Sequence, residues 1–213
     1  MRASRSALDE LLPGRGSWEI EIGFGRGRYL LDRAAADPTG RFLGIEMAAK
    51  YFRLVERRVR RRGLANVALL LGEALYIAGA LLPPAFARAV HVYFPDPWPK
   101  DRHRKRRLLD HASVDLVLGL LEPGGALYFA SDHLEYADEV EEILSSHPAI
   151  ELERVERWPD GERTNYEIKY ERAEREIRRL VARRREEESA IVHPAARGEL
   201  WVAAVAESAE GAA

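Results

Sequence analysis

Cysteine and glutamine are absent from the 213-residue chain, and its only two asparagines are Asn66 and Asn165. Without cysteine the chain can form no disulfide, no zinc-thiolate site and no thiol nucleophile, which fits a reducing compartment. No apolar run approaches the roughly 20 residues of a membrane-spanning helix, and Met1–Leu8 lacks the apolar stretch of a secretory signal. We therefore expect a globular, cytoplasmic protein with no membrane partner and no metal site.

Charge is nearly balanced in number but segregated along the chain. The 33 basic and 35 acidic residues give a formal net charge of −2, yet basic residues concentrate in Lys50–Arg62 and Lys100–Arg107. A basic patch can attract a polyanion whatever the net charge is, because attraction depends on the surface distribution. The length fits one domain, so residues 1–17 are interpreted as a leader and residues 18–213 as a single domain.

Strand and helix patterns alternate along most of the chain. The predicted strands and helices are Trp18–Ile22, helix Arg28–Ala36, Arg41–Glu46, helix Ala48–Arg62, Val67–Leu71, helix Ala74–Leu82, Ala89–Phe94, helix Leu108–Leu121, Ala126–Ala130, helix Asp132–Ser146 and Ile150–Arg157. This alternation predicts an α/β protein with a doubly wound, largely parallel sheet that binds ligands beyond the carboxyl ends of its strands. The Arg/Glu-rich Glu171–Ser189 is interpreted as a solvated helical insertion, with RNA contact as the alternative, and Leu200–Ala206 as the closing strand.

A glycine-rich loop joins the first strand to the first helix. Its glycines are Gly23, Gly25 and Gly27, and Glu21 precedes them by two residues. A dinucleotide-binding loop has the spacing G-x-G-x-x-G, one residue longer than here. The G-x-G-x-G spacing with a preceding acid instead favours S-adenosylmethionine, because a carboxylate complements its ammonium and sulfonium charges. A nicotinamide cofactor is the less favoured alternative.

Two further acids follow successive predicted strands. Glu46 ends the second strand about 20 residues after the loop, where it could accept hydrogen bonds from two ribose hydroxyls. Glu73 follows the third strand and could reach the edge of an adenine. Each acid alone could be an ordinary surface carboxylate, but three at three strand ends predict a nucleoside-type cofactor.

The next motif, YFPDPWPKDRHRKRR at Tyr93–Arg107, makes the chain resemble the bacterial tRNA (guanine-N7-)-methyltransferases. The resemblance also rests on EIGFGRG at Glu21–Gly27, GIE at Gly44–Glu46, SDHLEYA at Ser131–Ala137 and TNYE at Thr164–Glu167. It implies a Rossmann-like class I methyltransferase sheet of seven strands with the last one antiparallel. It also implies S-adenosylmethionine as cofactor and methylation of guanine N7 in tRNA, at position 46 of the variable loop.

The resemblance also implies roles for individual residues. The cofactor would contact Glu21, the three glycines, Glu46, Glu73 and Asp96. The substrate would contact Lys100, Asp132, Thr164, Asn165, Tyr166 and Glu167. RNA would contact the rest of the basic run, which is Arg102, His103, Arg104, Lys105, Arg106 and Arg107.

Asp96 is the candidate catalytic residue. Guanine N7 carries a free lone pair, so methyl transfer needs no general base and depends mainly on positioning. Positive charge moves from sulfur to the purine, and a carboxylate among prolines after the fourth strand could accommodate it. Asp132 could hold the guanine edge or only cap a helix with Glu135, and Trp98 could stack on a base or fill a packing gap.

Other classes of protein remain as alternatives. Lys100–Arg107 could be a solvated helix start, and Thr164–Glu167 could be a polar turn. The whole chain could be an RNA-binding protein with an inactive methyltransferase fold, although such a protein would be free to lose Glu21, Glu46 and Asp96. A small-molecule methyltransferase is disfavoured by the basic run, because a small substrate gives it no partner.

Overall fold

The structure is a computed structural model that describes residue 12 and residues 16–186. Seven strands of this part of the chain form one sheet. In chain order they are β1 (Trp18–Ile22), β2 (Arg41–Glu46), β3 (Val67–Leu71), β4 (Ala87–Tyr93), β5 (Leu121–Ser131), β6 (Ile150–Arg154) and β7 (Arg178–Arg184). The α-helices are α1 (Arg28–Ala36), α2 (Ala49–Arg62), α3 (Ala74–Tyr76), α4 (Val114–Leu118), α5 (Leu134–Ser146) and α6 (Asn165–Arg172).

The strand order across the sheet is β3-β2-β1-β4-β5-β7-β6. β7 runs antiparallel to both β5 and β6, and the other neighbouring pairs are parallel. This confirms the predicted doubly wound, mostly parallel sheet. The chain runs outward from β1 to β3 and then returns to place β4 beside β1. A crevice therefore opens at the carboxyl ends of β1 and β4, where ligands bind in sheets of this kind.

The two faces of the sheet carry different layers. Successive side chains of a strand point to opposite faces, so Ile20, Val90 and Leu127 belong to the main core beneath α4 and α5. On the other face, α1 and α2 pack around Phe42. Tyr93 lies in a third cluster with Tyr29 of α1. The helices thus cover both faces and leave the strand ends accessible.

β7 corrects the expected helix in the charged segment. Arg178–Arg184 is a strand within the predicted helical insertion, and the predicted closing strand Leu200–Ala206 lies outside the described residues. The high charge suggested solvation, but arginines at the strand's two ends are held by the protein. Arg178 binds Asp138 and Glu141, and the Nη1 of Arg184 donates to the Leu121 carbonyl at 2.5 Å. These partners allow Leu180–Ala182 to be buried at the centre of the strand.

Two predicted helices are also corrected. The helix expected over Leu108–Leu121 is reduced to α4, because β5 already begins at Leu121 and pairs with β4 there. The helix expected from Asp132 begins at Leu134, and its N-cap is His133, whose Nδ1 accepts from the Tyr136 N–H at 3.3 Å. Asp132 is therefore not the cap. No helix in the described part of the chain is long and apolar enough to cross a membrane.

Candidate functional site

The glycine loop follows β1 at the mouth of the crevice. Gly23, Gly25 and Gly27 have φ angles of +74°, +49° and +69°, which residues with a Cβ rarely adopt. A Cβ built at Gly27 would lie 2.6 Å from Cγ2 of Val55, so this glycine allows α2 to pack against the loop. A Cβ built at Gly23 or Gly25 meets nothing within 4 Å. The first two glycines thus leave open space above the loop.

Glu46 holds this loop to the end of β2. Its Oε2 accepts from the Gly25 N–H at 2.8 Å, and its Oε1 accepts from the Ala48 N–H at 2.9 Å. Each carboxylate oxygen can accept a second hydrogen bond, so the side chain keeps capacity for a ligand. The sequence predicted a ligand contact here, but it did not reveal that Glu46 also fixes the loop.

Glu21 is the most unusual acid of the site. The residue is only 4% exposed, and its Oε2 has no hydrogen-bond partner in the described part of the protein. Burial raises the pKa of Glu21 to about 8. A hydrogen bond from the Leu30 backbone lowers this pKa, and the negative charge of Glu46 raises it further. A buried carboxyl without a cation is costly to ionise. The site therefore favours a positively charged ligand at Glu21.

Glu73 lies at the same edge of the sheet as Glu46. The Gly72 N–H donates to the Glu46 carbonyl at 3.0 Å, which joins the ends of β2 and β3. Glu73 is exposed and caps α3, with Oε1 accepting from the Leu75 N–H at 2.9 Å and Oε2 from the Tyr76 N–H at 2.6 Å. The predicted set of three acids is thus assembled at three neighbouring strand ends.

The proline-rich loop follows β4 beside the glycine loop. Phe94 and Trp98 have φ angles of 52° and 42°, strained values that persist only where the surroundings impose them. The Phe94 N–H donates to the Ala130 carbonyl at 2.7 Å, and Nε of Arg107 donates to the Pro97 carbonyl at 2.9 Å. Asp96 is exposed between these two anchors and has no ion-pair or hydrogen-bond partner among the residues described.

The basic run forms a short 3-10 helix, Asp101–Arg106. Its exposed basic residues are Lys100, Arg102, Arg104, Lys105 and Arg106, and His103 is half-buried. Arg104 forms ion pairs with Asp101 at 3.1 Å and with Glu135. Trp98 lies against this helix, with the guanidinium of Arg106 5.1 Å from its ring centroid and His103 5.8 Å away edge-on. The ring thus has packing partners of its own.

Arg107 corrects the prediction that the whole basic run contacts RNA. Its side chain is 0% exposed, and its Nη1 pairs with Glu139 of α5. Its guanidinium also lies 4.8 Å from the ring centroid of Tyr136. Because every face of the guanidinium is covered by protein, Arg107 anchors the proline-rich loop to α5 instead of binding a phosphate.

The TNYE motif begins α6. Thr164 is the N-cap and accepts from the Glu167 N–H at 3.0 Å. Glu167 is 1% exposed, and its oxygens accept from Nε of Arg179 at 2.7 Å and from the Arg163 N–H at 2.8 Å. This corrects the prediction of a direct substrate contact for Glu167, because a carboxylate that is buried and hydrogen-bonded at both oxygens orders the motif from inside.

The exposed residues of the motif are Asn165 and Tyr166. Asn165 accepts from Nη1 of Arg28 at 3.4 Å, which links α6 to the helix that follows the glycine loop. The Tyr166 ring is 53% exposed and lies 6.0 Å from both Phe94 and Tyr170. An aromatic surface thus lies directly beside the proline-rich loop.

Asp132, which directly follows β5, pairs with an arginine that lies just beyond the end of α6. Its Oδ2 lies 3.1 Å from Nη1 of Arg175, whose guanidinium is 5.1 Å from the Tyr170 ring centroid. Asp132 therefore lies close to the aromatic surface, and the ion pair takes the place of the predicted capping role.

Arg163 joins two of the sequence motifs through contacts that the sequence did not reveal. Its guanidinium lies 4.5–5.9 Å from four ring centroids, those of Tyr29, Tyr93, Tyr128 and Trp158. Its Nη1 donates to the Tyr93 hydroxyl at 2.6 Å. Arg163 precedes the TNYE motif and Tyr93 precedes the proline-rich loop. The hydrogen bond between them therefore connects these two segments. The aromatic cage comes from distant parts of the chain, and no local pattern signals it.

Comparison with known proteins identifies the family. A family sequence profile described as "Putative methyltransferase" matches residues 16–180. A tRNA (guanine-N(7)-)-methyltransferase of Alkalilimnicola ehrlichii is 36% identical over 167 residues, covering 78% of this chain and 70% of the relative. The chain belongs to this family. Enzymes of the same name from Nitrosococcus oceani and Nocardia farcinica are each 40% identical, over 60% and 62% of this chain.

The match does not extend over the full length of these relatives. The chain covers 54% of the Nitrosococcus oceani protein and 49% of the Nocardia farcinica protein. Family membership is therefore established for the shared domain.

Solved structures show the same fold at low sequence identity. The antibiotic-resistance methyltransferase Kmr superposes with a TM-score of 0.59 at 18% identity, covering 89% of this chain and 96% of that one. A SAM-dependent O-methyltransferase from Thermotoga maritima gives 0.55 at 16% identity, covering 86% and 65%. The fold is that of the class I methyltransferases, as the sequence predicted.

Proposed function

We propose that this protein transfers the methyl group of S-adenosylmethionine to N7 of guanine in tRNA, at position 46. The observation that carries the proposal is the buried carboxyl of Glu21, whose Oε2 has no hydrogen-bond partner among the described residues. It lies beside the open glycine loop, one strand away from the loop that presents Asp96. The methyltransferase names of the relatives support the reaction. Because the substrate is tRNA, we place the reaction in the cytoplasm.

The residues present fit this cofactor. Glu21 would hold its positively charged amino-acid end, because that end supplies the cation which the buried carboxyl lacks. Glu46 would accept from the ribose hydroxyls with its remaining lone pairs, and Glu73 would accept from the adenine amino group. The open space above Gly23 and Gly25 lets the backbone approach the ligand closely.

The bound cofactor supplies a sulfonium methyl group, and the protein supplies alignment and charge compensation. Methyl transfer to guanine N7 needs no proton-accepting residue. Most of the acceleration therefore comes from holding N7 in line with the sulfonium methyl group. Asp96 is presented by a loop that is anchored at Phe94 and at Pro97, so its carboxylate is available without a large ordering cost. Its negative charge stabilises the positive charge that develops on the purine.

The substrate would be held beside Asp96 by two surfaces. Tyr166 offers an exposed ring for base stacking, a contact worth about 1–3 kcal/mol per base, and Asn165 and Asp132 offer polar groups close by. Of the residues named by the resemblance, the exposed Lys100, Arg102, Arg104, Lys105 and Arg106, with the half-buried His103, would bind the tRNA backbone. Thr164 and Glu167 would act indirectly, by fixing α6.

The test is transfer of labelled methyl to unmodified tRNA, followed by mapping of the modified base. We expect label at guanine 46, none in a tRNA with adenine at that position, and little with an Asp96→Asn variant. An RNA-binding protein with an inactive fold would bind the tRNA without labelling it. No transfer by the unaltered protein to any tRNA would refute the proposal.

A further inference from the structure

A second basic surface lies on α2, away from the basic run after β4. Lys50, Arg53, Arg57 and Arg61 follow one another at spacings of three, four and four residues, which places them along one face of the helix. All four are exposed, and none has a hydrogen-bond or ion-pair partner within the described part of the chain. We call these four residues the α2 stripe.

The other arginines of α2 have partners, which sets the stripe apart. Arg58 donates to the Arg26 carbonyl at 2.7 Å, Arg60 pairs with Glu56 at 2.7 Å, and Arg62 pairs with Asp32 of α1 at 2.8 Å. Like charges spaced four residues apart destabilise a helix. A row of unneutralised cations is therefore a cost to the isolated protein that an anionic partner would remove.

The stripe begins next to the proposed cofactor site. Lys50 lies four residues after Glu46, the residue that binds the Gly25 N–H. Further along the same helix, Val55 packs against Gly27 of the glycine loop. From Lys50 to Arg61 the stripe runs about 16 Å at 1.5 Å per residue. It therefore extends from the carboxyl edge of the sheet along the outside of the molecule, a length that reaches more than one phosphate of a nucleic acid strand.

The glycine loop lies between the stripe and the basic run. α2 follows β2, the basic run follows β4, and β1 lies between these two strands. At ~4.8 Å per strand, β2 and β4 are roughly 10 Å apart. Arg26, exposed within the glycine loop, adds a cation between the two surfaces. This continuity favours one extended polyanion over an acidic protein bound to α2 alone.

We propose that the α2 stripe binds the phosphate backbone of the same tRNA whose guanine enters the site, on the opposite side of the cofactor loop from the basic run. This inference rests on the proposed function. It assigns to α2 a contact with the backbone, which adds affinity and orientation but reads no base.

The experiment compares Arg53→Gln/Arg57→Gln with the matched control Arg183→Gln/Arg185→Gln. Both variants remove two exposed arginines, and the control pair lies at the other end of the sheet, on and just after β7. Binding of unmodified tRNA is measured from 50 to 200 mM salt, with methyl transfer and cofactor binding on the same preparations. Circular dichroism confirms that each variant is folded.

Each lost phosphate contact should reduce the slope of log affinity against log salt concentration by roughly 0.7–0.9. Over this fourfold range of salt, the unaltered protein should therefore lose roughly tenfold more affinity than the stripe variant. The KM for tRNA should rise, while kcat at saturating tRNA and cofactor affinity stay unchanged. Arg53→Lys/Arg57→Lys should restore binding, because a phosphate contact needs charge more than shape.

Two results would overturn the inference: a stripe variant whose salt slope equals that of the unaltered protein, or a control variant with the same loss. Both are distinct from failure of the proposed function, in which the unaltered protein transfers no methyl group to tRNA.

Discussion

Replacing Glu21 by glutamine should stabilise the free protein and weaken cofactor binding. Burial raises the pKa of Glu21 from 4.5 to about 8. Between these two values the folded state holds a proton that the unfolded state releases, so stability falls as pH rises from about 4.5 to about 8. A shift of 3.5 units corresponds to at most about 5 kcal/mol, at 1.36 kcal/mol per unit. Glu21→Gln removes this cost, since the amide does not ionise.

Cofactor binding should show the opposite effect. A cationic ligand requires the Glu21 carboxylate, which in the free protein is roughly nine-tenths protonated at pH 7 if its pKa is about 8. Binding should therefore release nearly one proton at pH 7, and affinity should rise about tenfold per pH unit from pH 6 until it levels off near pH 8. Glu21→Gln loses a hydrogen bond between charged groups, worth about 1.5–3 kcal/mol, or roughly 10- to 150-fold in affinity.

Isothermal titration calorimetry in buffers of different ionisation enthalpy counts the released protons directly. Urea unfolding at pH 6, 7 and 8 measures the stability of the free protein. Glu151→Gln, a change at an exposed strand position, is the matched control and should alter neither measurement. If binding releases no proton at pH 7, or if Glu21→Gln binds as tightly as the unaltered protein, the assignment of Glu21 is wrong.

Three further changes test other parts of the site. Arg107→Ala should cost about 2–3 kcal/mol in urea unfolding, because it removes a fully buried side chain and leaves the Pro97 carbonyl without its donor. Arg104→Ala, at an exposed ion pair, should cost no more than about 1 kcal/mol, and equal losses would contradict the anchoring role. Gly27→Ala should cost about 1–3 kcal/mol through its positive φ and its contact with Val55, and Val55→Ala should recover part of that loss in a double-mutant cycle. Asp96→Asn should lower kcat by about 10²–10³ at unchanged affinity for tRNA, and an unchanged kcat would show that Asp96 has no catalytic role.

Much of the sheet could be predicted from the sequence because its signals are local. The bounds predicted for β1, β2 and β3 agree with the structure. Short alternating or apolar segments bounded by turn residues favour strands, and this signal lies within the segment itself. The glycine loop and its neighbouring acids were recognisable for the same reason, since a tight turn and a ligand that needs carboxylates leave a short, ordered pattern.

The charged residues could not be assigned in this way. The sequence treats Arg104 and Arg107 alike as members of one basic run, but the structure exposes the first and buries the second against α5. Glu167 was expected at the substrate, yet Arg179 of β7 holds it inside the protein. The strand β7 itself was mistaken for a solvated helix because the partners of its arginines come from other elements.

The sequence alone therefore determined the class of fold, the glycine loop and the set of acids at the strand ends, all of which follow from spacing along the chain. Only the tertiary structure decided which charges remain free to meet a ligand. The physical reason is that burying a charge is costly unless an opposite charge or a hydrogen-bond partner is brought to it. For Arg107, Arg163 and Glu167 those partners lie on other strands and helices, so only the folded chain brings them together.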